Sequence, residues 1–192
     1  MPDLSNSFPL RKGRAHEVCG PGALMFSFAL GGQITGSVLW ICEGWRTEQI
    51  SPTGFAPYLD PQNLLYAKAK GQPNVLAVAE EALRSGAISL VIMELSAPIG
   101  LTAGRRLQLA AEAGRSTGLC IISEGMGSNA AETRWRCAPI FDAKDSTLQR
   151  WELIKNKSGT LSEWDVKWDA ETRRVIVVSE AAQRQGSARM PD

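Results

Sequence analysis

Residues 15–30, AHEVCGPGALMFSFAL, run from a short predicted strand through Gly20-Pro21-Gly22 into an apolar helix. The order strand, glycine turn, helix is that of a phosphate-binding loop, G-x-x-x-x-G-K-[ST], whose backbone N–H groups surround phosphate and whose lysine reaches the outer oxygens. Counted from Gly20, however, Met25 takes the second glycine position and Phe26 the lysine position, and only Ser27 keeps a suitable residue type. The segment therefore predicts a degenerate phosphate-binding loop with no cofactor, in a protein that is not an enzyme.

Composition places the chain among ordinary globular proteins. It has 192 residues, 44% hydrophobic and 21% charged, with a net charge of +1 that gives no general attraction to nucleic acid. The four cysteines are far apart and there is one histidine, so no metal site is expected and a reducing, cytoplasmic location is favoured. No membrane segment is expected. We predict a polar lead-in over 1–14, a single domain over 15–180 and a disordered tail over 181–192.

Hydrophobic patterning predicts alternating strands and helices in the first two thirds of the chain. Ser37–Cys42, Ile88–Leu95 and Leu119–Ile122 are continuous apolar runs, typical of strands buried on both faces, and Ile88–Leu95 is predicted as the central strand. Helices are predicted over Asn74–Arg84 and from a Thr102 cap to Gly114. This alternation predicts a parallel sheet with right-handed crossovers.

The last third changes to strand patterns separated by turns. Four segments, 133–139, 149–156, 163–169 and 173–179, alternate or are rich in β-branched residues, which predicts hairpins that extend the sheet antiparallel. Four of the six tryptophans lie here: Trp135, Trp151, Trp164 and Trp168. Core packing is favoured for them over an apolar surface for a partner chain.

A few residues are placed for chemistry. Glu43 follows a buried strand, where open α/β sheets hold ligands, and Glu94 ends the Ile88–Leu95 strand. His16 has no partner in a catalytic motif and is predicted to be structural. Lys155 and Lys157 share one strand face and could reach an anion. Four arginines offer the alternative of a single-strand DNA-binding module: Arg105, Arg106, Arg134 and Arg136.

Several segments, in this order and spacing, resemble the RecA recombinase core over roughly residues 13–169. Within that superfamily the chain most resembles ImuA proteins, which are also labelled SulA-like. The segments that carry the resemblance are GRAHEVCG, EEALRSGA, LTAGRRLQLAAEAG, RWRCAP and WELIKNKSG. The resemblance implies an α/β fold with a RecA-like core, a parallel central sheet with helices on both faces, and C-terminal antiparallel strands.

The resemblance also implies a role in damage-induced translesion synthesis, within the SOS response. Implied partners are RecA, an ImuB-like relative of the Y-family polymerases and a DnaE-type error-prone polymerase, with DNA contacted weakly or indirectly. Glu43 matches RecA's water-activating glutamate, and Lys155 and Lys157 match a lysine pair that reaches the neighbouring subunit's ATP site in RecA filaments. These three residues are therefore expected to bind a partner, with a RecA-type ATPase of atypical site kept as an alternative.

Overall fold

The computed structural model describes residues 3–180, so the predicted tail over 181–192 lies outside the described residues. Four α-helices are described: α1 Ala23–Gln33, α2 Pro52–Phe55, α3 Gly71–Ser85 and α4 Leu101–Gly114. Short 3-10 turns cover Leu4–Asn6 and Pro61–Asn63. The described strands are β1 Ala15–Cys19, β2 Val38–Glu43, β3 Leu64–Ala69, β4 Leu90–Glu94, β5 Thr117–Ile121, β6 Thr133–Pro139, β7 Gln149–Asn156, β8 Ser162–Asp169 and β9 Arg174–Glu180.

The described strands form one nine-stranded sheet in the order β3-β2-β4-β5-β1-β6-β7-β8-β9. The first six in that order pair in parallel, and β7, β8 and β9 extend the sheet antiparallel. The predicted fold class, a mostly parallel α/β core with C-terminal antiparallel strands, is confirmed.

Three details of that prediction are wrong. β6 pairs in parallel with β1, so the antiparallel part begins one strand later than expected. The middle strand of the sheet is β1, whereas β4, from the Ile88–Leu95 run, lies third from one edge. Thr102 lies inside α4, because the helix begins one residue earlier and its N-cap is the extended Gly100.

The helices cover the two faces of the sheet with separate cores. On the first face, α1 packs on a core that contains Trp40 of β2 and the tryptophans of β6, β7 and β8. On the second face, α3 and α4 cover a smaller aliphatic core with Ile41, Val91 and Cys120. The four C-terminal tryptophans are all buried, which confirms core packing for them.

The segment before β1, predicted as a polar lead-in, buries three apolar side chains. Leu4, Phe8 and Leu10 are all buried. The Phe8 ring lies 5.4 Å from that of Phe26 and 5.0 Å from that of Trp151, centroid to centroid. The segment therefore completes the aromatic core under α1, and its polar residues are the ones left at the surface.

Candidate functional site

The turn that joins β1 to α1 holds only Gly20, Pro21 and Gly22. The N–H of Gly22 donates to the carbonyl of Cys137 on β6 at 2.8 Å, and the N–H of Ala23 donates to the carbonyl of Gly20 at 3.1 Å. A Cβ on Gly20, whose φ is +89°, would lie 2.5 Å from the Cys137 carbonyl oxygen. Glycine is required because the turn lies against the backbone of β6. These two N–H groups, which in a phosphate-binding loop would face phosphate, are already bonded to carbonyls of the chain.

The three residues that take phosphate-loop positions lie within α1. Phe26 is fully buried, with its ring centroid 4.7 Å from that of Trp151 and 5.3 Å from that of Trp135. Met25 is half-buried against the same core. Ser27 is buried, and its hydroxyl donates to the carbonyl of Ala23 at 2.8 Å. All three side chains serve the packing of α1.

A cleft of about 530 Å³ opens beside α1 at the carboxyl ends of β2 and β4. The chain leaves β2 towards β3 and leaves β4 in the opposite direction towards β5, so the cleft lies at a switch point of the sheet, where α/β proteins bind ligands. Phe28 stacks on Trp40 and on Phe55, at 5.0 and 5.2 Å between centroids. The lining residues include Leu24, Phe28, Arg46, Ile50, Phe55 and Glu94.

Glu94 is held at this cleft by two donors. Its Oε1 accepts from Trp40 Nε1 at 2.6 Å, and its Oε2 lies 3.1 Å from Arg46 Nη1. The Nε of Arg46 is buried without a hydrogen-bond partner. Sequence reasoning missed Arg46, and its position three residues after the end of β2 is the signal that could have found it. Glu94 therefore forms an ion pair with an arginine at this cleft.

Glu43 lies on the other face of the sheet. Along β2, Val38 and Trp40 enter the α1-side core, so by the two-residue period of a strand Glu43 points towards α3. The side chain is only 5% exposed, and its Oε2 has no hydrogen-bond partner. The Ser96 side chain lowers the pKa of Glu43 below its ordinary value, although burial acts to raise it. The sheet therefore separates Glu43 from the turn and the cleft.

Lys155 and Lys157 come together at the end of β7. Nζ of Lys155 donates to the carbonyls of Asn129 and Ala131, and Nζ of Lys157 donates to the carbonyl of Ala130 at 2.7 Å. Burial, then the charges of Lys157 and Arg134, lower the pKa of Lys155. Since Asn156 pairs with Thr133, the first residue of β6, the two lysines lie at the amino edge of the parallel strands.

The three residues expected to bind a partner do not form one site. Five inter-strand spacings, about 24 Å, separate β2 from β7. Glu43 lies at the carboxyl edge of the sheet and the lysines at its amino edge. The structure thus brings the lysine pair together and leaves Glu43 apart from it.

The arginines of β6 are engaged by carboxylates. Arg134 Nε donates to Glu17, 1% exposed, at 2.7 Å, and Arg134 Nη2 donates to the Ser128 carbonyl at 2.9 Å. Arg136 donates twice to Glu152, at 3.1 and 2.6 Å. Arg106, on α4, pairs with Glu80 at 2.7 Å. Three of the four arginines considered for DNA binding are therefore neutralised locally.

Residues 3–180 lack two further kinds of feature. No group of three or more histidine, cysteine, aspartate or glutamate residues in that range is arranged to hold a metal ion. Within the same range, no helix has both the length and the apolar character needed to cross a bilayer.

No family model matches the chain. The chain is 27% identical over 173 residues to Protein ImuA of Caulobacter vibrioides strain NA1000 / CB15N, in an alignment that covers 82% of this chain and 68% of that protein. Protein ImuA of Caulobacter vibrioides strain ATCC 19089 / CIP 103742 / CB 15 matches to the same extent.

The crystal structure of the RadB recombinase superposes with a TM-score of 0.65, at 12% identity, covering 86% of this chain and 90% of that chain. That likeness shows the fold alone. The order of the strands, the superposition on a recombinase and the sequence match agree with the resemblance inferred from the residues. The chain is a distant homologue of Protein ImuA, built on a RecA-like fold.

Proposed function

We propose that this chain is a non-catalytic accessory protein of damage-induced translesion synthesis in the bacterial cytoplasm, acting through protein contacts. The observation that carries the proposal is the three-residue turn after β1. The N–H groups of Gly22 and Ala23 are bonded to protein carbonyls, and the lysine position is a phenylalanine in the aromatic core. A phosphate group would compete with the chain's own carbonyls for these two donors and would find no lysine there. The partners implied by the likeness to ImuA are an ImuB-like protein, a DnaE-type polymerase and RecA.

We propose further that docking on RecA uses the lysine pair. Lys155 and Lys157 lie side by side at the amino edge of the sheet, and Lys157 is exposed. Burial and the nearby charge of Lys157 lower the pKa of Lys155. Such a pair of lysines suits a phosphate or carboxylate group of a partner. It lies at the opposite edge of the sheet from the turn after β1, so docking there would leave the turn and the cleft uncovered.

Thermal unfolding with and without Mg-ATP tests the non-catalytic part. A nucleotide that binds only the folded chain would add about 2.7 kcal/mol at 100 times its Kd. We expect the melting temperature to stay unchanged from micromolar to millimolar nucleotide. A clear rise would contradict the proposal and would place the alternative, an ATPase with an atypical site, first.

Binding to immobilised RecA filaments tests the docking part. The double variant Lys155→Ala/Lys157→Ala should lose binding, because both positive charges are removed. Lys155→Arg/Lys157→Arg should keep most of it, since arginine retains the charge and can still donate to the carbonyls of 129–131. Lys144→Ala, an exposed lysine in the loop after β6, is the matched control.

Urea unfolding of each variant separates loss of binding from loss of fold. Unchanged filament binding by a well-folded double alanine variant would refute the docking proposal. That result would leave the non-catalytic part standing, since the nucleotide measurement tests it separately.

A further inference from the structure

A row of positive charge lies along the amino edge of the sheet, where β5, β1 and β6 begin and β7 ends. Arg115 comes shortly before β5, residues 11–14 come directly before β1, and the lysine pair lies at the end of β7. Since β5, β1, β6 and β7 are adjacent in the sheet, the row crosses three inter-strand spacings, about 14 Å. We call its six cations the basic row: Arg11, Lys12, Arg14, Arg115, Lys155 and Lys157.

The basic row carries more charge than nearby carboxylates neutralise. Arg14 pairs with Glu112 at 3.3 Å, and Arg11 pairs with Glu132 at 3.5 Å. Within residues 3–180 the other four cations of the row form no ion pair. The row and its two carboxylates together carry a net charge of +4, whereas the whole chain carries only +1. Positive charge is therefore concentrated at this edge, and the rest of the chain is acidic overall.

The two ends of the basic row are open to an anion. Lys12 and Arg115 are neighbours although they are far apart in the chain, because the N–H of Gly13 donates to the Ser116 carbonyl at 3.0 Å. Both residues are exposed. At the other end Lys157 is exposed as well, and one of its three ammonium donors bonds a carbonyl of the chain at 2.7 Å. Each end can thus donate hydrogen bonds to a bound anion.

A groove of about 310 Å³ lies within the span of the row, between the segment before β1 and the end of β7. Its lining includes Arg11 and four uncharged polar side chains, those of Asn6, Ser7, Asn156 and Ser158. Side chains of these types, with lysine and arginine, are the ones that contact phosphate and sugar in nucleic-acid complexes. This volume is at the lower end of that of small-molecule pockets, so it has room for the backbone of one strand and not for a duplex.

We propose that the basic row binds the phosphate backbone of single-stranded nucleic acid, which lies along the amino edge between Arg115 and Lys157. Among the described residues, no phenylalanine, tyrosine or tryptophan lines the groove, so the site offers the bases no stacking platform. Binding is therefore independent of base sequence and is driven by the release of counterions. The proposal goes beyond docking on RecA and shares with it only the lysine pair.

The test is fluorescence anisotropy of a labelled oligothymidine strand titrated with the full chain at several salt concentrations. With four unpaired cations, the logarithm of the association constant should fall against the logarithm of salt with a slope of about −2.8. That slope corresponds to a loss of roughly 50-fold between about 50 and 200 mM salt. The duplex of the same strand should bind more weakly, because the groove does not admit it.

The variant Lys12→Gln/Arg115→Asn removes two of the four unpaired charges. Its slope should fall to about −1.4, or roughly sevenfold over the same range of salt. Asparagine suits position 115, whose φ of 52° is left-handed. The matched control, Lys68→Gln/Lys70→Gln, removes the same charge from exposed positions at the carboxyl edge and should keep the wild-type slope. Urea unfolding shows whether each variant remains folded.

A chain that does not bind oligothymidine at the lowest salt overturns the proposal and leaves an acidic protein as the partner for this surface. A slope that stays at the wild-type value in Lys12→Gln/Arg115→Asn, or falls equally in the control, overturns the assignment to the basic row. Duplex bound as tightly as single strand overturns the assignment to one strand. Since the variant keeps both lysines of the pair, these outcomes are distinct from those of the RecA filament measurement.

Discussion

His16 should make the stability of this chain depend on pH between about 4 and 6.5. The side chain is 1% exposed in the middle strand of the sheet. Its Nε2 lies 2.9 Å from the Arg11 carbonyl, an acceptor only, so Nε2 carries the proton. Its Nδ1, 2.7 Å from the Thr133 hydroxyl, then accepts from that group. The neutral imidazole thereby fastens the segment before β1 to β6.

Burial lowers the pKa of His16 from 6.5 to about 4. Since each pKa unit corresponds to 1.36 kcal/mol, folding favours the neutral form of His16 over the protonated form by about 3 kcal/mol. Between these pH values the unfolded chain binds more protons than the folded chain, so stability falls as the pH is lowered. The full contribution is present above pH 6.5 and is lost by about pH 4.

Urea unfolding followed by tryptophan fluorescence at several pH values measures this effect. The comparison is with His16→Gln, which cannot gain a proton, because carboxylates that titrate in the same range affect both proteins alike. The stability advantage of the wild type over the variant should shrink by about 3 kcal/mol from pH 7 to pH 4. As the only histidine, His16 also gives a single imidazole signal by NMR. An advantage that does not change with pH, or an imidazole that titrates near 6.5 in the folded chain, would refute the reasoning.

Three further substitutions test the packing around the site. Phe26→Lys restores the lysine of a phosphate-binding loop, but it would bury an ammonium group among aromatic rings. The free energy of unfolding, measured with urea, should fall by at least the roughly 3–5 kcal/mol that deletion of a core phenylalanine costs. A stable variant whose melting temperature rises with Mg-ATP would contradict this prediction. Gly22→Ala should lower the free energy of unfolding by about 1–3 kcal/mol in the same assay, since its Cβ would lie 2.7 Å from Gln149 Oε1 and 2.9 Å from the Cys137 carbonyl carbon. Gly125→Ala is the control: its Cβ would meet no atom within 4 Å, so the variant should lose only the stability that the strain of a positive φ costs. Arg134→Met should lower the free energy of unfolding by about 3–5 kcal/mol, because it leaves the Glu17 carboxylate buried without its ion pair. Adding Glu17→Gln removes the unpaired charge and should recover part of that stability. A double variant as unstable as Arg134→Met would show that the broken ion pair does not cause the loss.

The arrangement of strands and helices was largely predictable because its signals are local. Continuous apolar runs mark strands covered on both faces; β4 falls within the Ile88–Leu95 run, and β5 overlaps the Leu119–Ile122 run but begins two residues earlier. The helix that ends before Gly86 is stopped by a glycine with a positive φ of 69°. Where the prediction failed, as for the place of β1 in the sheet, the answer depends on which strands pair across about a hundred residues, and no local pattern encodes that.

The candidate site was harder to predict because its position depends on where α1 begins. Counting from Gly20 assumes a loop of full length, whereas the helix starts at Ala23, directly after the last glycine of the turn. The orientation of Glu43 was within reach, since the strand period already places it on the opposite face from Trp40. The ion pairs Arg136–Glu152 and Arg134–Glu17 could not be predicted from the sequence, because each depends on the register between two strands.

The central place of β1 has a consequence for how the chain acquires its structure. β1 precedes the other described strands in the chain, yet its neighbours β5 and β6 follow only after about a hundred residues, and Ala15 pairs with Gly118. Pairing over such a separation must close a long loop first, which slows folding and leaves apolar strands unpaired meanwhile. We therefore expect folding in milliseconds to seconds, with β1 left unpaired during synthesis until β5 has been made, after β2, β3 and β4.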